Sequence, residues 1–299
     1  MISRVLTVRA FADTQTTMNM IWNDRQGRLS PLKATTLLVA IAPAVVIAYW
    51  FYTGALQPLS VKIALRLIGD WAVRFLVLTL ALTPLQRMLN YTKIALIRRM
   101  LGVTSFAYAL THFTLYIVSV KFDLGFLVSE IIHRFYLTIG FIALLGLSAL
   151  AATSFDSAVR KLGQNWKRLH RISYGLAVLG LFHYFLQSKI DVASATWTAG
   201  LFILAMVLRV MIWRRITLTP VKIIIAAGIA CLLTAALEYA WYGLATGIKP
   251  MRVFMANFSV AHGLRPALIT LVVGLAVAGL IYLRSLQKSA APNRQSVSR

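Results

Sequence analysis

Apolar residues crowd into eight runs along the chain, at about 35–53, 67–83, 100–120, 134–153, 170–187, 194–213, 221–244 and 266–284. Each is close to the roughly 20 residues that a helix needs to cross the hydrocarbon core of a bilayer. The polar stretches between them are short, the longest being about 245–265. This pattern predicts an all-α protein, a polytopic transmembrane bundle of about eight helices. Trp50, Trp71, Trp166, Trp197, Trp213 and Trp241 all fall at or near predicted helix ends, where interfacial aromatic belts lie.

Charge gives the bundle a direction. Of the 31 Lys and Arg residues, 22 fall within 1–34, 83–101, 153–171, 209–222 and 284–299. Basic loops stay cytoplasmic, so both termini and the connections 2–3, 4–5 and 6–7 are predicted in the cytoplasm. The third and fifth helices then run parallel, from inside to outside. Residues 1–34 are polar and lack a compact apolar segment followed by a small-residue cleavage site, which predicts a cytosolic lead-in and not a cleaved signal peptide. A net charge of +23 would also suit nucleic acid. The basic residues lie between apolar runs with no nucleic-acid motif, however, so that class is excluded and membrane lipid is the expected neighbour. The run RKLGQNWKRLHR, with Arg160, Lys161, Lys167, Arg168 and Arg171, is a topology signal and a headgroup contact that can equally receive a flavin phosphate or haem propionates.

Two absences narrow the chemistry. The single cysteine, Cys231, leaves no internal disulfide and no C-x-x-C-H attachment, so any haem must be held non-covalently. No G-x-G-x-x-G unit occurs, so these residues offer no domain of their own for taking hydride from a pyridine nucleotide.

Histidines inside apolar runs are costly unless they serve a purpose. In the fifth run, WKRLHRISYGLAVLGLFHYFL, His170 and His183 stand thirteen positions apart, a rise of about 20 Å on one helix. In the third, RRMLGVTSFAYALTHFTLYIV, His112 falls at the depth of His183 and Arg98 at the depth of His170. Imidazole is an axial ligand of haem iron, and two parallel helices with histidines at equal depth suit a six-coordinate b-type haem. His112 and His183 are therefore the expected ligands of an outer haem between helices three and five. The plain alternative is hydrogen bonding between helices. For an inner site around His170, either Arg98 is an unusual neighbour of the haem, or that haem is five-coordinate or absent. A straight helix would also turn His170 and His183 about 140° apart, so either two haems approach from different directions or the helix is irregular between them. Arg74, four residues after Asp70, is an i,i+4 ion pair or a cation for an outer haem propionate. His133 and His262 are read as interfacial or solvated.

The stretches GDWAVRFLVLTLALTPLQR, RRMLGVTSFAYALTHFTLYIV, TIGFIALLGLSALAATS and LGQNWKRLHRISYGLAVLGLFHYF occur in this order within about residues 30–214. They resemble the haem-binding membrane subunits of periplasmic protein-methionine-sulfoxide reductase systems, the MsrQ family, within the ferric-reductase-like transmembrane group. The resemblance implies an inner-membrane cytochrome that binds haem b, one or two per chain, together with FMN. It implies electrons taken from the quinone pool and passed to a periplasmic molybdopterin-containing methionine sulfoxide reductase subunit, which repairs oxidised proteins. It carries the family's histidines onto His112, His170 and His183, and its arginine onto Arg98. The implied organisation is a lead-in over 1–34, a six-helix haem-binding domain over 35–214 and an extension over 215–299 with two more helices, beyond the point where shorter relatives stop. The loop GIKPMRVFMANFSVAHGLRP in that extension either lies in the periplasmic interface near the partner or merely completes the topology. Two other classes remain open: a ferric or superoxide-generating reductase, and a transporter whose histidines relay protons.

Overall fold

The computed structural model describes residues 29–261 and 263–290. Among them are twelve helices: α1 (Pro31–Tyr52), α2 (Ser60–Leu89), α3 (Ile94–Ser119), α4 (Leu124–His133), α5 (Phe135–Ala152), α6 (Asp156–Leu162), α7 (Gln164–His170), α8 (Ile172–Ser188), α9 (Ala193–Trp213), α10 (Pro220–Ala245), α11 (Pro250–Ala256) and α12 (Pro266–Ala290). Their ends carry local signals. Proline opens α1, α10 and α11, where a missing N–H costs nothing. The Asp123 carboxylate caps α4 by accepting from the Phe126 N–H at 2.9 Å. Asn90 closes α2 in the left-handed conformation, φ 46°.

Eight long helices lie where the eight apolar runs stand. Six of them, α1, α3, α5, α9, α10 and α12, are long and apolar enough to cross a membrane. The other two depart for separate reasons. The first half of α2 carries Lys62, Arg66, Asp70 and Arg74, and α8 has only 17 residues. The expected fifth helix is in fact two helices. At Arg171 the backbone tightens, with the Arg171 N–H donating to Arg168 and the Tyr174 N–H to Arg171, both three residues back. His170 thus ends α7 while His183 rides on α8. The lead-in as far as residue 28, and His262, lie outside the described residues.

The apolar outward faces, with Leu38, Val46, Ile225, Leu232 and Leu283 exposed, suit contact with lipid. Inside, α1, α2 and α3 share a core around Phe75, Leu101 and Tyr108. A second core joins α2, α5 and α8 around Leu76, Leu147 and Ala177. The C-terminal helices α9, α10 and α12 close on one another through Leu204, Ala227 and Ala278. Small side chains permit that approach, for a Cβ on Gly274 would run into Ala227.

Several polar groups buried in the bundle have partners on neighbouring helices. Pro43 sits inside α1, and beside it the Tyr108 hydroxyl of α3 donates to the Ala40 carbonyl at 2.7 Å and accepts from the Ala44 N–H at 3.0 Å. In the extension, Glu238 of α10 and Asn257 are both buried, and the Asn257 amide donates to the Glu238 carboxylate while its oxygen accepts from the Ala267 N–H at 3.1 Å. The segment after α10 is thereby folded back and pinned between α10 and α12. Tyr242 donates to the Ile190 carbonyl at 2.7 Å, tying the extension to the turn after α8.

Candidate functional site

His112 on α3 and His183 on α8 face one another across the bundle, their ring centroids 6.2 Å apart and their planes at 87°. Each is held in the same way. His112 Nδ1 donates to the Leu65 carbonyl of α2 at 2.8 Å, and His183 Nδ1 donates to the Tyr136 carbonyl of α5 at 2.7 Å. A carbonyl can only accept, so the proton sits on Nδ1 and leaves Nε2 as the basic nitrogen in both rings. Glycine makes the approach possible. A Cβ on Gly69 would lie 2.6 Å from His112 Nδ1, and one on Gly140 would lie 2.7 Å from His183 Cε1. The glycines stand four residues after the accepting carbonyls in both helices.

This arrangement fits a metal bound through both imidazoles. Ligating histidines commonly give their second N–H to a backbone carbonyl, which fixes the ring and its tautomer. With their centroids 6.2 Å apart, the two rings are near enough for one metal ion to be held by both. Among the described residues no group of three His, Cys, Asp or Glu side chains converges on a metal site. The pair therefore suits a metal that brings its other ligands with it, as a porphyrin does.

Next to the pair is a cationic cluster. Arg74 lies between Trp71 and Trp197, its guanidinium carbon 5.1 Å and 5.0 Å from their ring centroids, and pairs with Asp70 at 3.6 Å. Asp70 directly follows Gly69, so this polar group stands one residue from the His112 contact. At the same end of the bundle an open cavity of about 380 Å³ has Lys62, Lys121, Asp123, Glu130, Arg134 and Tyr136 on its walls. Arg134 pairs with Glu130 at 2.6 Å. His133 is exposed and donates to its own helix, at Ser129 O, 2.8 Å away.

At the other end, where the basic loops gather, His170 and Arg98 have different partners. His170 stacks on Trp166, centroids 4.0 Å apart, and its Nε2 lies 3.2 Å from the Thr153 hydroxyl. Arg98 donates to Gln86 at 2.6 Å. Sequence reasoning overlooked Arg209, counted only among the loop charges. It lies within α9, donates to the Leu80 carbonyl at 3.0 Å and covers the Tyr174 ring at 4.8 Å. It also overlooked Leu65, Gly69, Tyr136 and Gly140, for which a signal exists. The pattern I-G-x-x-A occurs at Ile68–Ala72 and again 71 positions on at Ile139–Ala143, the same interval that separates His112 from His183.

A multi-pass helical bundle with two facing intramembrane histidines is the architecture of a transmembrane redox component. Consistently, residues 68–181 match the family model described as ferric reductase like transmembrane component. The chain is 34% identical over 167 residues to the protein-methionine-sulfoxide reductase heme-binding subunit MsrQ of Herminiimonas arsenicoxydans, covering 55% of this chain and 77% of the relative. It is 35% identical over 200 residues to the MsrQ of Xanthomonas euvesicatoria pv. vesicatoria, covering 63% and 89%, and 39% identical over 174 residues to that of Brucella ovis, covering 58% and 76%. The chain belongs to the MsrQ family. No solved structure matches it.

Proposed function

We propose that this protein is a haem-binding membrane subunit of a methionine sulfoxide reductase system, a b-type cytochrome that carries electrons across the bacterial inner membrane. The observation that carries the reading is the His112–His183 pair, 6.2 Å between centroids with both Nδ1 protons engaged by carbonyls. Haem, when bound, supplies the one-electron chemistry. The chain's part is to hold and tune it. Nε2 of His112 and of His183 would hold its iron, and the carbonyls of Leu65 and Tyr136 fix the two rings and raise their basicity. Arg74, braced by two tryptophans, is the cation available to a propionate. Arg98 and His170 belong to the cytoplasmic half, where the donor side and FMN are placed in this reading.

The donor is the quinone pool. The acceptor is a periplasmic molybdopterin-containing methionine sulfoxide reductase subunit, which repairs oxidised periplasmic proteins. Both termini lie in the cytoplasm, a direction supported by the gathering of Lys and Arg at one end. The names of the relatives, each a heme-binding subunit of a protein-methionine-sulfoxide reductase, support the system. Residues 35–214 form the haem-binding domain and 215–299 an extension that buttresses the turn after α8 through Tyr242.

The test is the dithionite-reduced minus oxidised spectrum of the detergent-purified chain, with pyridine extraction to count haem. A b-type spectrum that disappears in His112→Ala and in His183→Ala is expected. Retained absorption in both variants sinks the ligand assignment, and a colourless protein after ample haem supply removes the electron-carrier reading.

A further inference from the structure

We infer that Met251 and Met255, on α11, are an oxidation site whose sulfoxides are returned to methionine by the reductase that this chain supplies with electrons. The return step rests on the function proposed above; the oxidation site does not. The two residues stand four apart on a seven-residue helix, so both thioethers lie on one face. That face is open, with Met251 58% and Met255 64% exposed.

The other methionines are placed quite differently. The chain has nine. Met100 packs against the core of α1, α2 and α3, Met206 against that of α2, α5 and α8, and Met88 and Met211 against that of α9, α10 and α12. Met88 and Met211 also stand in the last turns of α2 and α9, and Met100 near the start of α3, all next to basic loops. Met1, Met18 and Met20 belong to the lead-in, which is predicted to be cytosolic and lies outside the described residues. Among the described residues, the end of the bundle opposite the basic loops therefore holds Met251 and Met255 and no other methionine.

The pair is held where a partner could reach it. A Cβ on Gly243 would lie 3.6 Å from Pro250, Phe254 meets Tyr239 edge-on at 6.1 Å between centroids, and Asn257 donates to buried Glu238. Thus α11 runs back beside the outer turns of α10 with its methionines turned away. With 26 residues, α10 is about 39 Å long against a hydrocarbon core of about 30 Å, so its last turns and α11 reach past the apolar layer. Exposed Lys249 and Arg252 flank Met251, as suits a helix at the aqueous side. Tyr242, in the last turn of α10, donates to Ile190, just beyond the helix that carries His183. The methionines stand at the end of the bundle where the proposed function has electrons leave. A hypohalous acid such as hypochlorous acid transfers its oxygen to the sulfur, forming the S=O bond and releasing chloride and a proton. The product is polar where the thioether was apolar. Return takes two electrons and two protons, breaks the S=O bond and releases water. Those electrons are the ones the chain delivers, so it offers a substrate at the place where its partner is fed.

The experiment has two stages. The full-length chain in detergent micelles is treated with substoichiometric hypochlorous acid, and each methionine-containing peptide is quantified by mass spectrometry. Met251 and Met255 are expected to gain oxygen several-fold more than Met88, Met100, Met206 and Met211, a preference lost when the chain is first denatured in dodecyl sulfate. Equal oxidation of these six in the folded chain overturns the site. In the second stage, cells of the native host receive a pulse of hypochlorous acid, and the Met251 and Met255 sulfoxides are followed while protein synthesis is blocked. The sulfoxides are expected to decline in the wild type and to persist in His112→Ala and His183→Ala. Where those variants fail to accumulate in the membrane, wild-type cells grown on tungstate in place of molybdate give the same comparison. Persistence in the wild type, or equal decline in every case, overturns the return step. The haem spectrum is recorded in parallel: a haem-free wild type removes the return step along with the proposed function, while the first stage still decides the oxidation site.

Discussion

In the α2–α3 hairpin a histidine donates to a carbonyl 47 positions earlier, over a glycine that clears its path; in the α5–α8 hairpin another histidine does the same across the same 47 positions. Advancing by 71 positions carries Leu65 onto Tyr136, Gly69 onto Gly140 and His112 onto His183. The same step carries Arg99 onto His170, Arg98 onto Leu169 and Tyr108 onto Leu179, so the likeness stops at the basic end. There Arg99 pairs with Asp156 of α6, whereas His170 stacks on Trp166. The chain repeats what orients the paired imidazoles and does not repeat what surrounds the other end. A ligand held from both sides needs two matching supports, while the basic end answers to separate demands of charge and topology.

The comparison can be broken most severely at the histidines. His112→Ala and His183→Ala each remove one of two matched ligands, and we expect both to abolish the b-type absorption; a large difference between them means that the two hairpins are not equivalent. Gly69→Ala and Gly140→Ala come next. Each adds a methyl that meets the imidazole below van der Waals distance, so haem content per chain should fall several-fold in both, with destabilisation of about 1–3 kcal/mol seen as a lower thermal midpoint. An unaltered spectrum in either variant shows that the ring is not held where the glycine predicts.

A smaller effect distinguishes the hairpins. Tyr108→Phe strips α1 of a hydroxyl that the second hairpin has no equivalent for, and should cost about 1–3 kcal/mol while leaving the reduced-minus-oxidised spectrum in place. Guanidinium or thermal unfolding in detergent measures the first and absorption the second. The least change is expected from His170→Ala. Losing the Thr153 contact should cost about 0.5–1.5 kcal/mol and leave the paired-imidazole absorption intact. Pyridine extraction decides whether the haem count is also unchanged, and a halved count places a second haem at the basic end.

Much of this architecture was legible because apolar runs near 20 residues have few other uses. His112 and His183 were legible for a related reason, since two polar residues at equal depth on parallel helices stand out against an apolar background. An irregular helix between His170 and His183 was one of two readings of their angular offset, but its place at Arg171 was not legible, because L-H-R-I-S contains neither proline nor glycine and the turn merely tightens. Nor was α2's departure from a plain apolar span, although Lys62, Arg66, Asp70 and Arg74 fall on consecutive turns; the run was counted from residue 67, after the first two charges. Arg209 was hidden by its position, for a basic residue near a helix end reads as a topology signal until its side chain is seen crossing to Leu80. The supports of the imidazoles were invisible to residue-type reasoning, since a backbone carbonyl has no letter of its own and only the repeated I-G-x-x-A marks the place.

The hydroxyl of Tyr108 has a consequence for biogenesis. It is synthesised 64 positions after the Ala44 amide that it serves and 68 after the Ala40 carbonyl. Until the third helix enters the lipid, the Ala44 N–H and the Ala40 carbonyl beside Pro43 have only each other, without the hydroxyl that joins them in the folded bundle. The final seating of the first segment therefore waits for the third, and truncation between them should leave α1 inserted but less tightly packed.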